Sequence, residues 1–136
     1  MRRDIYSGYL KLVGEEHVQT LIAANNYAIS LTELRRFEEA KSLLRKSMPV
    51  ARRALGENDE ATLRMRSTYA RALYLDSEST LNDLREALNT LVETARIARR
   101  VLGSAHPNAM KIEQCLQKSR AALRAREETQ PSAGSA

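Results

Sequence analysis

The sequence has no tryptophan, one phenylalanine, one cysteine and three prolines among 136 residues. A single thiol, Cys115, excludes an intrachain disulfide and fits a reducing, cytoplasmic setting. Aromatic and β-branched residues are too scarce for a sheet, whereas Ala, Leu, Arg and Glu dominate and favour helix. No apolar run approaches the length of a membrane span, and Met1-Arg2-Arg3 is not followed by an apolar secretory segment, so no membrane partner is expected. A nucleophile elbow, a metal-ligand cluster and a glycine-rich phosphate loop are all missing. The expectation is a non-enzymatic protein with no cofactor, no bound metal and no small-molecule substrate. The net charge of +5 biases it toward acidic partners without naming them.

What the chain does have is repetition. Gly14-Glu15-Glu16-His17, Thr20-Leu21, Tyr27-Ala28-x-x-Leu31, Phe37-Glu38-Glu39-Ala40 and Arg52-Arg53-Ala54-Leu55 form a first unit. A second reads Gly56-Glu57, Thr62-Leu63, Tyr69-Ala70-x-x-Leu73, Leu84-Arg85-Glu86-Ala87 and Arg99-Arg100-Val101-Leu102. Gly103 opens a third, with His106 in the place of His17 and Met110 in that of Leu21. The spacing is 42 residues from Gly14 to Gly56 and 47 from Gly56 to Gly103, the extra residues falling between Leu73 and Leu84. Self-similarity at this period is the mark of a solenoid.

Within each unit apolar residues recur at three and four positions, as one helix face requires. Asp4–Val13 aligns with the second half of a unit and predicts a helix with Tyr6, Tyr9, Leu10 and Val13 buried. Helices follow over about His17–Leu34, with Leu21, Ala24, Ala28 and Leu31 inward, and over about Phe37–Leu55, with Phe37, Ala40, Leu44, Ser47, Met48, Ala51 and Leu55 inward. Pro49 lacks an N–H and crowds the carbonyl of Arg45, which predicts a kink there. Asn58 or Asp59 can cap a helix ending near Leu75. The insertion Asp76-Ser77-Glu78-Ser79 is polar and turn-like, and Thr80-x-x-Asp83 has the form of a capping box. The next helix, Leu81–Leu102, carries Leu81, Leu84, Leu88, Leu91, Ala95, Ala98 and Leu102. Pro107 suits the first turn of a last helix reaching about Arg126. The expected organisation is one helical repeat domain over residues 1–127, made of a partial repeat 1–13, repeats 14–55 and 56–102 and a terminal helix within 103–127, with a disordered tail over 128–136. The fold class is all-α: an α-solenoid of antiparallel helix pairs in a right-handed superhelix.

The residues Leu102-Gly103-x-x-His106, Asn25-Asn26-Tyr27-Ala28 and Phe37-Glu38-Glu39-Ala40 resemble the tetratricopeptide repeats of kinesin light chains. The resemblance covers roughly residues 4–127 and is strongest in the first unit; Ser67-Thr68 replace the Asn pair in the second, and Leu116-Gln117 replace Tyr-Ala in the third. It implies that Gly14, Tyr27, Ala28, Phe37, Ala40, Gly56, Tyr69, Ala70, Leu84, Ala87 and Gly103 are structural repeat positions. It also implies a concave groove, lined by the first helix of each pair, that receives a peptide. Projected onto this chain, that groove takes Ile22, Asn25, Ile29 and Thr32 with Asn26 beside them, then Arg64, Ser67, Arg71 and Tyr74, then Lys111, Gln114 and Lys118. Asn25 and Asn26 offer a donor and an acceptor to a peptide backbone, while Arg64, Arg71, Lys111 and Lys118 favour carboxylates. Of the carboxylate clamp of chaperone-binding members only Lys111 has a counterpart, with Ile29 and Cys115 at the other positions. The expected partner is therefore an acidic peptide segment of another protein rather than a chaperone C-terminus. A solvated helix face is the plainer alternative for the same charges.

Further features have competing readings. His17 and His106 lie two units apart, about 20 Å on ordinary helix spacings, too far to share an ion, so helix-start packing explains them better. Cys115 has no Cys or His one helical turn away and reads as a buried or half-buried thiol. Arg96, Arg99, Arg100, Arg120, Arg124 and Arg126 make a second basic cluster; nucleic acid is disfavoured as its ligand, because aromatic residues are not interleaved and Glu127-Glu128 follow. Exposed end repeats leave self-association, as a fragment of a longer array, as a further alternative.

Overall fold

The computed structural model describes residues 1–129, and within them the chain forms six helices: α1 (Arg2–Val13), α2 (Val18–Glu33), α3 (Phe37–Ala54), α4 (Glu60–Leu75), α5 (Leu81–Leu102) and α6 (Pro107–Thr129). There is no strand among the described residues. The starts of α2, α4 and α6 repeat one device. His17 Nδ1 accepts the Gln19 amide at 3.1 Å, the Asp59 carboxylate accepts the Ala61 amide at 2.9 Å, and His106 Nδ1 accepts the Asn108 amide at 3.0 Å. Each occupies an amide that the first turn leaves without a partner. The two histidines thus have a local role as caps. α5 begins with the full capping box, Thr80 and Asp83 each accepting the other's amide.

The units turn at equivalent corners. Gly14, Gly56 and Gly103 share a left-handed backbone, with φ of 86°, 97° and 89°. A side chain there would be strained whatever the room around it. Arg35, with φ 62°, makes the tight turn from α2 to α3 without a glycine.

Successive helices pack, and α4 also packs directly on both α2 and α6, so these three form one layer with α3 and α5 behind it. The core runs continuously across the units, from Leu21, Ala28 and Leu44 through Leu63, Ala70, Leu73, Leu84, Ala87 and Leu91 to Ile112 and Leu116. A second, smaller cluster joins Leu31, Phe37, Ala40 and Ala72. Ala28, Ala40, Ala70 and Ala87 have no exposed surface. Small residues there let paired helices approach closely, and the apolar face of each hairpin is sealed by its neighbours. α3 winds without interruption through Pro49 to Ala54, its core face held by buried Val50 and Ala51.

Two expectations need correction. Helix α1 buries none of its residues: Tyr6 and Leu10 are half-buried, and Tyr9 and Val13 are exposed. α2 packs along it and Tyr6 hydrogen-bonds Ser47 of α3, while the face carrying Ile5 and Leu12 is open. The last helix also extends past Arg126 to Thr129, so Glu128 and Thr129 are helical, while the rest of the expected tail, residues 130–136, lies outside the described residues.

The inserted segment after α4 is not a loose loop. Asp76 and Ser79 are buried, Asp76 accepts from the Glu78 amide at 2.9 Å, and Ser79 Oγ donates to the Leu73 carbonyl at 2.6 Å. Lys41 of α3, 4% exposed, meets Asp76 at 3.2 Å and Glu38 at 2.9 Å. Arg126 of α6 donates to the carbonyls of Ser77 and Ser79. Burial alone would push the Lys41 ammonium down, but its bonds and charge contacts with Glu38 and Asp76 outweigh that, and its pKa is raised. A second buried cation, Arg66, meets Glu93 at 3.2 Å and Glu57 at 3.8 Å. No helix is long and apolar enough to cross a membrane among the described residues.

Candidate functional site

Helices α2, α4 and α6 share one exposed surface because they pack side by side. Residues spaced by three and four on that surface fall in line, opposite the apolar stripe that holds each helix to the core. The resulting groove encloses about 320 Å³. Its lining brings together Asn25 and Ile29 of α2, Arg64, Ser67 and Arg71 of α4, and Lys111, Gln114 and Lys118 of α6. Thr68, Asn108, Ile112 and Cys115 complete it.

Four projected residues lie elsewhere. Asn26 and Ile22 point to the other side of α2, where they line a separate groove with Arg2, Ile5 and Tyr9; the Asn26 carbonyl accepts from the Arg2 guanidinium at 3.1 Å. One helical position is a rotation of 100°, enough to part neighbours such as Asn25 and Asn26. Thr32 is buried and its hydroxyl donates to the Ala28 carbonyl at 2.8 Å. Tyr74 is buried too, rather than displayed in the groove. Burial, then the neighbouring Cys115 thiol, pushes the Tyr74 hydroxyl well above its ordinary pKa, against an opposing pull from Arg71.

The electrostatics of the groove are one-sided. Every ion pair among the described residues involves other cations, so Arg64, Arg71, Lys111 and Lys118 face the groove with no carboxylate partner. At its first-unit end, Asn25 is 3% exposed and its Oδ1 accepts no hydrogen bond from the protein. A buried acceptor without a donor is costly, and a donor from outside would relieve it. The floor between is half apolar, from Ile29, Ile112 and Cys115. Such a surface can hold an extended or helical segment that supplies an amide N–H at one end and carboxylates along the rest.

The second basic cluster is dispersed by comparison. Arg99 pairs with Glu113 at 3.0 Å, and Arg126 is committed to the loop carbonyls of Ser77 and Ser79. The sequence did not single out Thr68, Asn108 or Ile112 for the groove. Thr68 falls on the three-and-four spacing, four residues after Arg64 and three before Arg71, and was findable; Ile112 lies off that spacing from Lys111, Gln114 and Lys118, and no local signal marks it. Asn108 was findable, since it lies three residues before Lys111.

A family model described as tetratricopeptide repeat matches residues 19–80, and a second of the same description matches residues 77–108. No curated protein and no solved structure matches the chain.

Proposed function

The chain is a tetratricopeptide-repeat protein, of a kind that mediates protein–protein interaction, and from that premise we propose that it is a non-catalytic scaffold that captures an acidic peptide segment. The observation that carries this reading is the set of four cationic side chains, Arg64, Arg71, Lys111 and Lys118, lining one groove without a carboxylate among the described residues. Held together unpaired, these like charges repel, and a ligand bearing Asp or Glu would neutralise them with charge-assisted hydrogen bonds. Asn25 would hold the ligand backbone through its free Oδ1. The repeat domain is read as residues 1–127, the setting as the cytoplasm, and the unit as closest in pattern to those of kinesin light chains.

The test is selection of peptides from a random library on the intact chain, followed by fluorescence anisotropy with the selected peptide. Enrichment of Asp and Glu is expected, and Arg64→Glu/Arg71→Glu should weaken binding by roughly thirtyfold or more, about 1 kcal/mol per reversed charge. Selected peptides without acidic residues, or undiminished binding by the double variant, would overturn the reading. If single-stranded nucleic acid competes instead, with a steep loss of affinity as salt rises, the ligand class is wrong.

A further inference from the structure

The open face of α1 is a different surface, on the side of α2 that carries Asn26 and Ile22. The repeat alignment shows what that face lacks. Ile5, Gly8 and Tyr9 correspond to Ser47, Val50 and Ala51 in α3 and to Thr94, Ile97 and Ala98 in α5. All six counterparts are buried, Ser47 and Val50 beside Thr20, Leu21 and Ala24 of α2, the helix that precedes α3. In α1 the same positions are uncovered: Ile5 is 49% exposed, Tyr9 is 37% exposed, and Leu12, next on the stripe, is 82% exposed. A Cβ built on Gly8 meets nothing within 4 Å.

The sizes of these side chains decide what can cover them. In α3 and α5 the order along the stripe is small, large, small, and these residues are buried. In α1 the order is inverted, with Ile5 and Tyr9 flanking a glycine. A further repeat helix in the standard position would meet two bulky side chains and a gap where it expects a ridge. A glycine between bulky residues is a place where another helix can cross closely, with the flanking side chains packing on either side of the crossing.

We propose that the α1 face is the interface for a second copy of this chain, packed antiparallel about a two-fold axis at Gly8. Such an axis makes the contact isologous, so one patch serves both copies and the assembly closes as a dimer. Glycine at the crossing lets the two helices approach closely, and Ile5 of each copy packs against Tyr9 and Leu12 of the other. Charge agrees with this direction. Asp4 and Lys11 lie on one flank of the stripe, both exposed, and Lys11 has no ion-pair partner among the described residues. A two-fold axis perpendicular to the helix keeps that flank on the same side while reversing chain direction, so Asp4 of one copy meets Lys11 of the other twice over. A parallel two-fold arrangement would put the two flanks on opposite sides of the contact and form neither pair. Packing only a 12-residue helix from each copy places the interface in the small, weak class, with dissociation on the order of micromolar.

The groove of α2, α4 and α6 is on another surface, so dimerisation and peptide capture are separately testable. Sedimentation equilibrium of the intact chain from about 1 to about 500 μM should show 15.3 kDa converting to twice that mass and no further. Tyr9→Asp should move the midpoint at least tenfold higher without changing the circular dichroism, because its side chain is exposed in the single copy. Gly8→Cys in a Cys115→Ser background should form an interchain disulfide on mild oxidation, while Val92→Cys on exposed α5 should not. A monomer throughout, a dimer indifferent to Tyr9→Asp, or an open ladder of larger species would each overturn the proposal. So would a dimer abolished only by Met110→Asp, which would place the contact on α6.

Discussion

Asp76→Asn tests whether the inserted segment is part of the folded core or an appendage. The substitution keeps the shape of the side chain and an oxygen for the Glu78 amide, but removes the charge that lies 3.2 Å from Lys41 Nζ. Both partners are nearly inaccessible, so water cannot replace the lost carboxylate. Removing one member of a buried pair costs about 3–5 kcal/mol when the other is stranded. Here Glu38 still meets Lys41 at 2.9 Å, though from a largely exposed position, so the expected cost is about 2 kcal/mol. For a chain of this length that is a fall of about 8 °C in melting temperature. Thermal and urea denaturation followed by circular dichroism would read it. Lys41→Met alone should also destabilise, by stranding Asp76, whereas the double variant should lose clearly less than the two single losses together. The pH dependence gives an independent readout. The Lys41 pKa is raised in the folded chain, so its contribution is complete below the ordinary lysine value near 10.4 and fades as pH climbs through the raised one. The difference in stability between wild type and Asp76→Asn should therefore shrink in strongly alkaline solution, while the raised tyrosine pKa values, common to both proteins, drop out of the comparison. A cost below about 0.5 kcal/mol, or a strictly additive double variant, would refute the reasoning.

Other substitutions probe the packing. Ala87→Leu, or Ala40→Leu in the first unit, should overpack a fully buried helix crossing and cost about 1–3 kcal/mol, measured as a lower urea midpoint. Arg126→Ala removes both bonds from α6 to the Ser77 and Ser79 carbonyls; hydrogen exchange should quicken in the inserted segment and the last turn of α6, with little change in α2. His106→Ala removes the amide acceptor at the start of α6 and should cost about 0.5–1 kcal/mol, seen as faster exchange of the Asn108 amide.

The helices themselves were legible because their causes are local. A capping side chain, a three-and-four stripe and a glycine at the corner each act within one or two turns, so Thr80, Asp83 and the stripe of α5 give Leu81–Leu102 without reference to anything distant. Most of the groove was legible for the same reason, since a helix that buries one face must present the opposite one. Its errors came from residues at the rim of that face. Asn26 and Thr32 sit where a small rotation decides between solvent, core and the neighbouring groove, and spacing alone does not resolve such a rotation.

By itself the sequence determined the α-helical class, the repeat, the three glycine corners and the basic character of the surface formed by α2, α4 and α6. Only the tertiary structure decided that Lys41 and Arg66 would be buried cations, that Arg126 would anchor a segment nearly fifty residues away, that Asn25 would keep an unused acceptor, and that α1 would stand uncovered. The division is physical. Periodicity and capping are properties of neighbours in the chain, whereas desolvation and the pairing of a charge depend on which other helix happens to arrive against it.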